Sequence, residues 1–264
     1  MPAIPETTSA RAELAAYLQR FPHLNFYHLG DLDDFFFPHT TWYISRRSGE
    51  IDALALLYHG LQPPVLLAIE NQNLEALTSL LASLQPHLPA QVYSHLSPGL
   101  EPALQPRFHL AHHGEHLKMA LIRPGDLPAG TRLPIRPLTT ADLPALNDLY
   151  AAAYPGNWFD PRMLETGQYL GLPVEDGSLV SVAGVHVYSP DYRVAALGNI
   201  ATHPGYRGRG LASALTAALC RRLLPNVETI GLNVHSGNAP AVSLYENIGF
   251  EPTAVYHEYT LSSK

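Results

Sequence analysis

Two stretches in the second half of the chain carry residues whose types and spacing suit chemistry. The first is Arg207-Gly208-Arg209-Gly210-Leu211-Ala212, which follows an apolar run closed by His203-Pro204-Gly205 and leads directly into a helical pattern. Two glycines let the main chain curl close to a ligand, and the first turn of a helix presents unpaired N–H groups at the positive end of its dipole. The chemistry this suits is phosphate binding. Arg207 and Arg209 add local positive charge to a chain with 16 basic and 23 acidic residues and a formal charge of −7, so the basic character gathers where an anion would sit. Taken alone, the two glycines equally fit an ordinary strand-to-helix turn. The second stretch begins at Asn233 to His235, passes through Ser236-Gly237-Asn238-Ala239-Pro240 and enters a helix carrying Tyr245-Glu246-Asn247-Ile248-Gly249-Phe250. Taken alone, Asn238 is a plain helix cap and Tyr245 an aromatic core residue.

In this order and on these elements the two stretches resemble the GNAT superfamily of acyl-CoA-dependent N-acyltransferases. The resemblance rests on Arg207-x-x-Gly210-x-Ala212, similar to the family's pyrophosphate loop, and on Asn238 lying seven residues before Tyr245. It covers about residues 133 to 264. What it implies is a site in which the backbones of Ile200, Ala201 and Thr202 pair with the pantetheine arm of acetyl-CoA. The loop from Arg207 through Gly208, Arg209, Gly210, Leu211 and Ala212 to Ser213 would hold the pyrophosphate, and Asn238 would contact the cofactor. Tyr245 would be the general acid, since a phenol of pKa about 10 stays protonated at neutral pH. The oxyanion would meet a main-chain N–H at the splayed end of the strand containing Ile200. The proton acceptor is open. Where some members carry a Glu, this chain has Asn233, and the candidates are His235, which strand alternation puts on the same side as Asn233, and His186. Asn199 and Trp158 are candidate substrate contacts.

These residues need a scaffold, and periodicity supplies one. Strands are expected at Leu133 to Leu138, Tyr169 to Val174, Leu179 to Tyr188, Val194 to Thr202, Thr229 to His235 and Thr253 to Leu261. Helices are expected from a Thr139 to Asp142 cap through Tyr154, near Phe159, over Leu211 to Leu224 and over Ala239 to Asn247. The first half repeats the later part of this order. A hairpin spans Trp42 to Arg46 and Ile51 to His59, followed by a strand at Val65 to Ile69, a helix at Leu74 to Leu84, a strand at Gln91 to His95, a short helix near Leu100 and a strand at Phe108 to Leu121. Its crossing, IENQNLEAL, lacks the glycines and arginines of the second. The expected architecture is α/β (α+β): tandem GNAT-like folds of mixed, mostly antiparallel twisted sheets flanked by helices. A degenerate copy without a phosphate loop spans 1–122, a linker 123–134 and a catalytic domain 135–264.

Composition narrows the partners. Of the 264 residues 46% are apolar and 15% charged, against a usual charged share of about 25%, which excludes disorder. The acidic balance gives no overall drive toward nucleic acid or an anionic membrane. One cysteine, Cys220, excludes an internal disulfide and a Cys-rich zinc site and fits a reducing cytoplasm. The absence of a leader pattern or long apolar run points the same way. His109, His112, His113 and His116 look like metal ligands, but residues three apart on a strand face opposite sides, so no metal is expected. The sequence therefore predicts a cytoplasmic N-acetyltransferase that passes an acetyl group from acetyl-CoA to a primary amine by direct attack through a tetrahedral intermediate. The acceptor would be a small molecule or peptide, and unpaired sheet edges are compatible with a homodimer. The alternative is a non-catalytic acyl-CoA sensor, suggested by Asn233.

Overall fold

The computed structural model describes residues 5–157 and 159–264. The chain forms two compact units that do not follow chain order: Met1–Lys118 with Val234–Asn238 and Pro252–Lys264, and Met119–Asn233 with Ala239–Glu251. Each unit is a sheet with helices packed on it.

In order, the chain makes β1 (Glu6–Thr8), α1 (Arg11–Leu18), α2 (Pro22–Gly30), β2 (Thr40–Arg47), β3 (Glu50–Tyr58), β4 (Val65–Ala68), α3 (Leu74–Leu84), β5 (Gln91–Leu96) and β6 (Phe108–Leu121). It continues with β7 (Arg136–Pro137), α4 (Leu143–Ala153), β8 (Leu170–Pro173), β9 (Leu179–Ser189), β10 (Val194–Thr202), α5 (Leu211–Leu223), β11 (Thr229–His235), α6 (Ala239–Asn247) and β12 (Phe250–Ser263). Within the first unit the sheet order is β1-β2-β3-β4-β5-β12-β6. The last strand of the chain belongs here because His257 to Ser262 pair antiparallel with Leu96 to Gln91. Within the second unit the order is β11-β10-β9-β8-β7.

In each unit one helix carries a clear apolar stripe. On α3, Leu77, Leu80, Leu81 and Leu84 recur at helical spacing and are buried with Ala53, Ala55, Leu66, Val92 and Leu96. On α5, Leu211, Leu215, Leu219 and Leu223 lie one turn apart, all buried, and the helix packs on β8, β9 and β10. Thr139 and Asp142 form a reciprocal capping box ahead of α4.

Several elements depart from expectation. The helix expected near Phe159 is a 3-10 segment, Pro161–Thr166, opened by Asp160, whose carboxylate accepts the Arg162 N–H at 2.9 Å. The strand expected over Leu133 to Leu138 shortens to Arg136–Pro137, where proline removes a ladder donor. Helices α1 and α2 are additional. Six of the nine residues of α2 are buried, so no one-sided stripe marks it in the sequence. The segment read as a linker, 123–134, lies inside the second unit. There the N–H groups of Ile122 and Arg123 both donate to the Gly249 carbonyl at 3.0 Å, and Arg123 pairs with Asp126 and Glu251.

Three of the four histidines of β6, His112, His113 and His116, turn to different partners. His112 lies against Tyr259 and His257, His113 stacks on Tyr93, and His116 stacks on Tyr256. Gly114, at φ +118°, breaks the strand's alternation between them. Among the described residues no group of His, Cys, Asp or Glu is arranged to hold a metal ion, and no helix is long and apolar enough to cross a membrane.

Candidate functional site

The crossing from β10 to α5 lies wholly within the second unit. Gly208 and Gly210 sit at φ +74° and +72°, left-handed values that favour glycine, with Arg209 between them. The first intrahelical bond is Ala214 N–H to the Gly210 carbonyl, 3.0 Å, so the amides of Leu211, Ala212 and Ser213 have no intrahelical acceptor. Gly210 supplies no capping side chain, and among the described residues the amides of Gly208, Arg209 and Gly210 also find no acceptor. A Cβ at either glycine would meet no protein atom within 4 Å, so the space above the loop is open. Six consecutive main-chain donors at a helix N-terminus form an anion nest.

The two arginines frame it differently. Arg207 donates from Nε to the Thr202 carbonyl at 3.2 Å and from its guanidinium to the Ala153 carbonyl at 3.1 Å, pinning the loop to the ends of β10 and α4. Arg209, which is exposed, reaches the Gly205 carbonyl at 3.3 Å and lies 5.0 Å over the Tyr206 ring.

Upstream of the nest, β10 parts from β11. The parallel pairing runs from Val194↔Thr229 to Leu197↔Leu232 and stops, while β10 continues to Thr202 on β9 alone. The backbone edge of Gly198 to Thr202 is therefore unpaired on that side. Ala201 is buried, Ile200 and Thr202 half-buried, and Ser181 holds both the Ala201 carbonyl (3.1 Å) and the Thr202 hydroxyl (2.8 Å).

Tyr245 projects from α6 with 9% of its surface exposed, its ring 5.9 Å from that of Phe250. Burial pushes its phenol well above the ordinary tyrosine range, and the nearby Tyr154 and Cys220 add to this. Among the described residues its hydroxyl has no hydrogen-bond partner. Tyr154, itself 46% exposed, was not singled out from the sequence; only its closeness to Tyr245 marks it. Gly249 follows in the same motif at φ +99°, where a Cβ would come within 2.1 Å of the Arg123 carbonyl. Cys220 is fully buried, its thiol pushed up to about 12 by desolvation.

The remaining candidates separate. His186 lies on Gly198, where a Cβ would meet its ring at 1.8 Å. His235 belongs with the first unit, as does Asn238. Its Nδ1 accepts the Gly237 N–H at 3.0 Å, and its Nε2 lies where a Cβ on Gly114 would sit, 2.3 Å away. The ring also meets His116 edge-on at 5.0 Å. Asn238 stands at the turn into α6, its N–H donating to the His235 carbonyl at 2.9 Å. Asn199, expected to touch substrate, is 4% exposed and turned inward; its amide donates to the Tyr169 hydroxyl at 3.1 Å. Trp158 falls outside the described residues.

A family model described as the Acetyltransferase (GNAT) family matches residues 142–250. The [Ribosomal protein bS18]-alanine N-acetyltransferase of Escherichia coli is 31% identical over 129 residues, 47% of this chain and 85% of that protein. A mycothiol acetyltransferase of Beutenbergia cavernae is 36% identical over 103 residues, 39% of this chain; the match spans only 33% of that relative's length. Among solved structures, a Drosophila protein superposes with a TM-score of 0.75 at 18% identity, covering 98% of both chains. A tandem GNAT protein from the clavulanic acid biosynthesis pathway superposes at 0.59 and 16%, covering 98% of this chain and 97% of that one. These two likenesses are of fold.

Proposed function

The chain belongs to the acetyltransferase (GNAT) family, and on that premise we propose that it transfers an acetyl group from acetyl-CoA to a primary amine. The observation that carries this is the β10–α5 crossing, with six donors that find no acceptor among the described residues, two left-handed glycines and two arginines in an otherwise acidic chain. These features fit a pyrophosphate. Acetyl-CoA supplies the activated thioester when bound. The amides from Gly208 to Ser213 hold its pyrophosphate, Arg207 fixes the loop and Arg209 adds charge. The unpaired edge of Ile200, Ala201 and Thr202 takes the pantetheine arm, and a main-chain N–H at Ile200 donates to the carbonyl oxygen as it gains charge. Asn238 is assigned to the cofactor from the family resemblance.

The amine nitrogen attacks the thioester carbonyl carbon, the C–S bond breaks, and Tyr245 gives its proton to the departing sulfur. Its uncommitted hydroxyl and raised pKa suit a donor that stays protonated across neutral and alkaline pH. For the proton leaving the amine, His186 is the better placed histidine, because its ring lies beside β10, whereas the Nδ1 lone pair of His235 is already engaged by Gly237.

The test is thiol release by the full chain with acetyl-CoA and a panel of small-molecule amines and alanine-terminated peptides. Release that depends on the amine supports the proposal. Tight CoA binding with no acceptor-dependent release from any of them would favour an acyl-CoA sensor, the reading that Asn233 motivates.

A further inference from the structure

Buried polar atoms of the second unit converge on one irregular point of β10. Gly198 pairs with Gly184 and Ala201 with Val182, so Asn199 and Ile200 together oppose the single residue Ala183 of β9. This is a β-bulge, and it falls just after β10 has parted from β11. Asn199 occupies φ +53°, a left-handed conformation that asparagine visits more readily than most residues with a Cβ.

Three side chains hold that conformation. The Tyr150 hydroxyl, from α4, donates to the Asn199 carbonyl at 2.9 Å. The Asn199 amide donates to the Tyr169 hydroxyl at 3.1 Å, which in turn donates to the Val185 carbonyl at 3.0 Å. Burial pushes both phenols upward, so both remain donors at neutral pH. The facing glycines complete the arrangement: the Tyr169 ring fills the space of a Cβ on Gly184 and the His186 ring that of a Cβ on Gly198, at 2.2 and 1.8 Å. The bulge is therefore held by these hydrogen bonds and by two rings.

We infer that Tyr150, Tyr169 and Asn199 are positioning residues that lock the bulge and thereby aim the main chain of Ile200 at the reacting carbonyl. The inference rests on the acetyl-transfer assignment above. None of the three touches substrate in this account; they act through the backbone they hold. Relaxing Asn199 to an ordinary strand conformation would realign Ile200 with the β9 ladder and withdraw it.

Acetyl transfer and cofactor binding by full-length wild-type, Tyr150→Phe, Asn199→Ala and Asn199→Gly proteins test this. Tyr150→Phe and Asn199→Ala should lower kcat about 10- to 100-fold, the scale of a misplaced catalytic group. CoA affinity, set at the phosphate loop, should change by less than about 3-fold. Asn199→Gly, which adopts the left-handed backbone without strain, should turn over faster than Asn199→Ala although both lack the amide. The ratio of acetyl-CoA to CoA affinity should fall in Asn199→Ala, because only acetyl-CoA presents the carbonyl; a mere loss of stability leaves that ratio intact. Folded Tyr150→Phe and Asn199→Ala proteins with wild-type kcat and an unchanged ratio overturn the inference and leave the acetyl-transfer assignment standing. A wild-type protein that neither binds nor consumes acetyl-CoA overturns both.

Discussion

Each unit contains a helix that joins two parallel strands, α3 between β4 and β5 and α5 between β10 and β11, and the entries into the two helices treat the same physical problem in opposite ways. A helix N-terminus leaves main-chain donors without partners and attracts negative charge. In the first unit the chain supplies that charge itself: one oxygen of the Glu70 carboxylate accepts the N–H groups of Asn71 and Gln72 at 2.8 and 2.7 Å, while the other accepts the Tyr17 hydroxyl at 3.0 Å. Asn73 then caps the helix through the Ala76 N–H at 3.2 Å. In the second unit glycines replace these side chains and no carboxylate enters. The difference is that the first crossing meets its loop donors with an internal anion, where the second leaves them open. Both the occupied donors and the negative charge of Glu70 oppose a phosphate.

The comparison can be broken most severely at Gly210. Gly210→Phe should weaken CoA binding on the order of 1,000-fold, because the side chain enters the open space above the nest. Folding should suffer only about 1–2 kcal/mol from the left-handed backbone, as no protein atom lies in the way, which thermal melting checks. Next in size is Tyr245→Phe, for which kcat should fall roughly 10- to 1,000-fold with CoA affinity almost unchanged. An unaltered rate removes Tyr245 from the mechanism. Arg207→Ala frees the loop from Thr202 and Ala153 and should cost about 3- to 10-fold in CoA affinity, read by calorimetry.

On the other side of the comparison, Glu70→Ala should lower stability by about 1–2 kcal/mol in a denaturant titration, since two loop amides lose their acceptor, and should leave CoA affinity unchanged. A last prediction concerns a buried amine of the first unit. Lys118 is sealed among Phe26, Tyr27 and Tyr256, and burial lowers its pKa to about 7. The unfolded chain keeps that proton up to the ordinary lysine range, so between pH 7 and about 10 it binds more protons than the folded one and stability rises with pH. Lys118→Met should flatten that part of the melting profile; an unchanged slope would show that Lys118 is not its source.

The sequence carried much of the second unit. The bounds of β10, β11 and α6 coincide with their apolar runs, because each is bordered by turn residues. The glycine crossing was legible because its glycines and arginines stand at a helix start and the Asn238 to Tyr245 stretch follows in the expected order. Partnerships across the chain were not. Nothing in the alternation of β12 says that Glu258 will sit opposite His95, and nothing in the Pro/Gly-rich 123–134 says that Arg123 will close on Gly249. Asn199, a candidate substrate contact by its place beside Ile200, is 4% exposed and turned inward. Its inward turn follows from a bulge, which strict alternation cannot foresee. His235 looked available as a base by alternation alone, and the local Gly237 bond that engages it is visible only in three dimensions.

Calorimetric titration of the intact chain with CoA tests the central contrast most directly. One CoA per chain is predicted, with the number of sites unchanged by Glu70→Ala and the heat signal abolished by Gly210→Phe. Two sites per chain, or binding that survives Gly210→Phe at wild-type affinity, would contradict it.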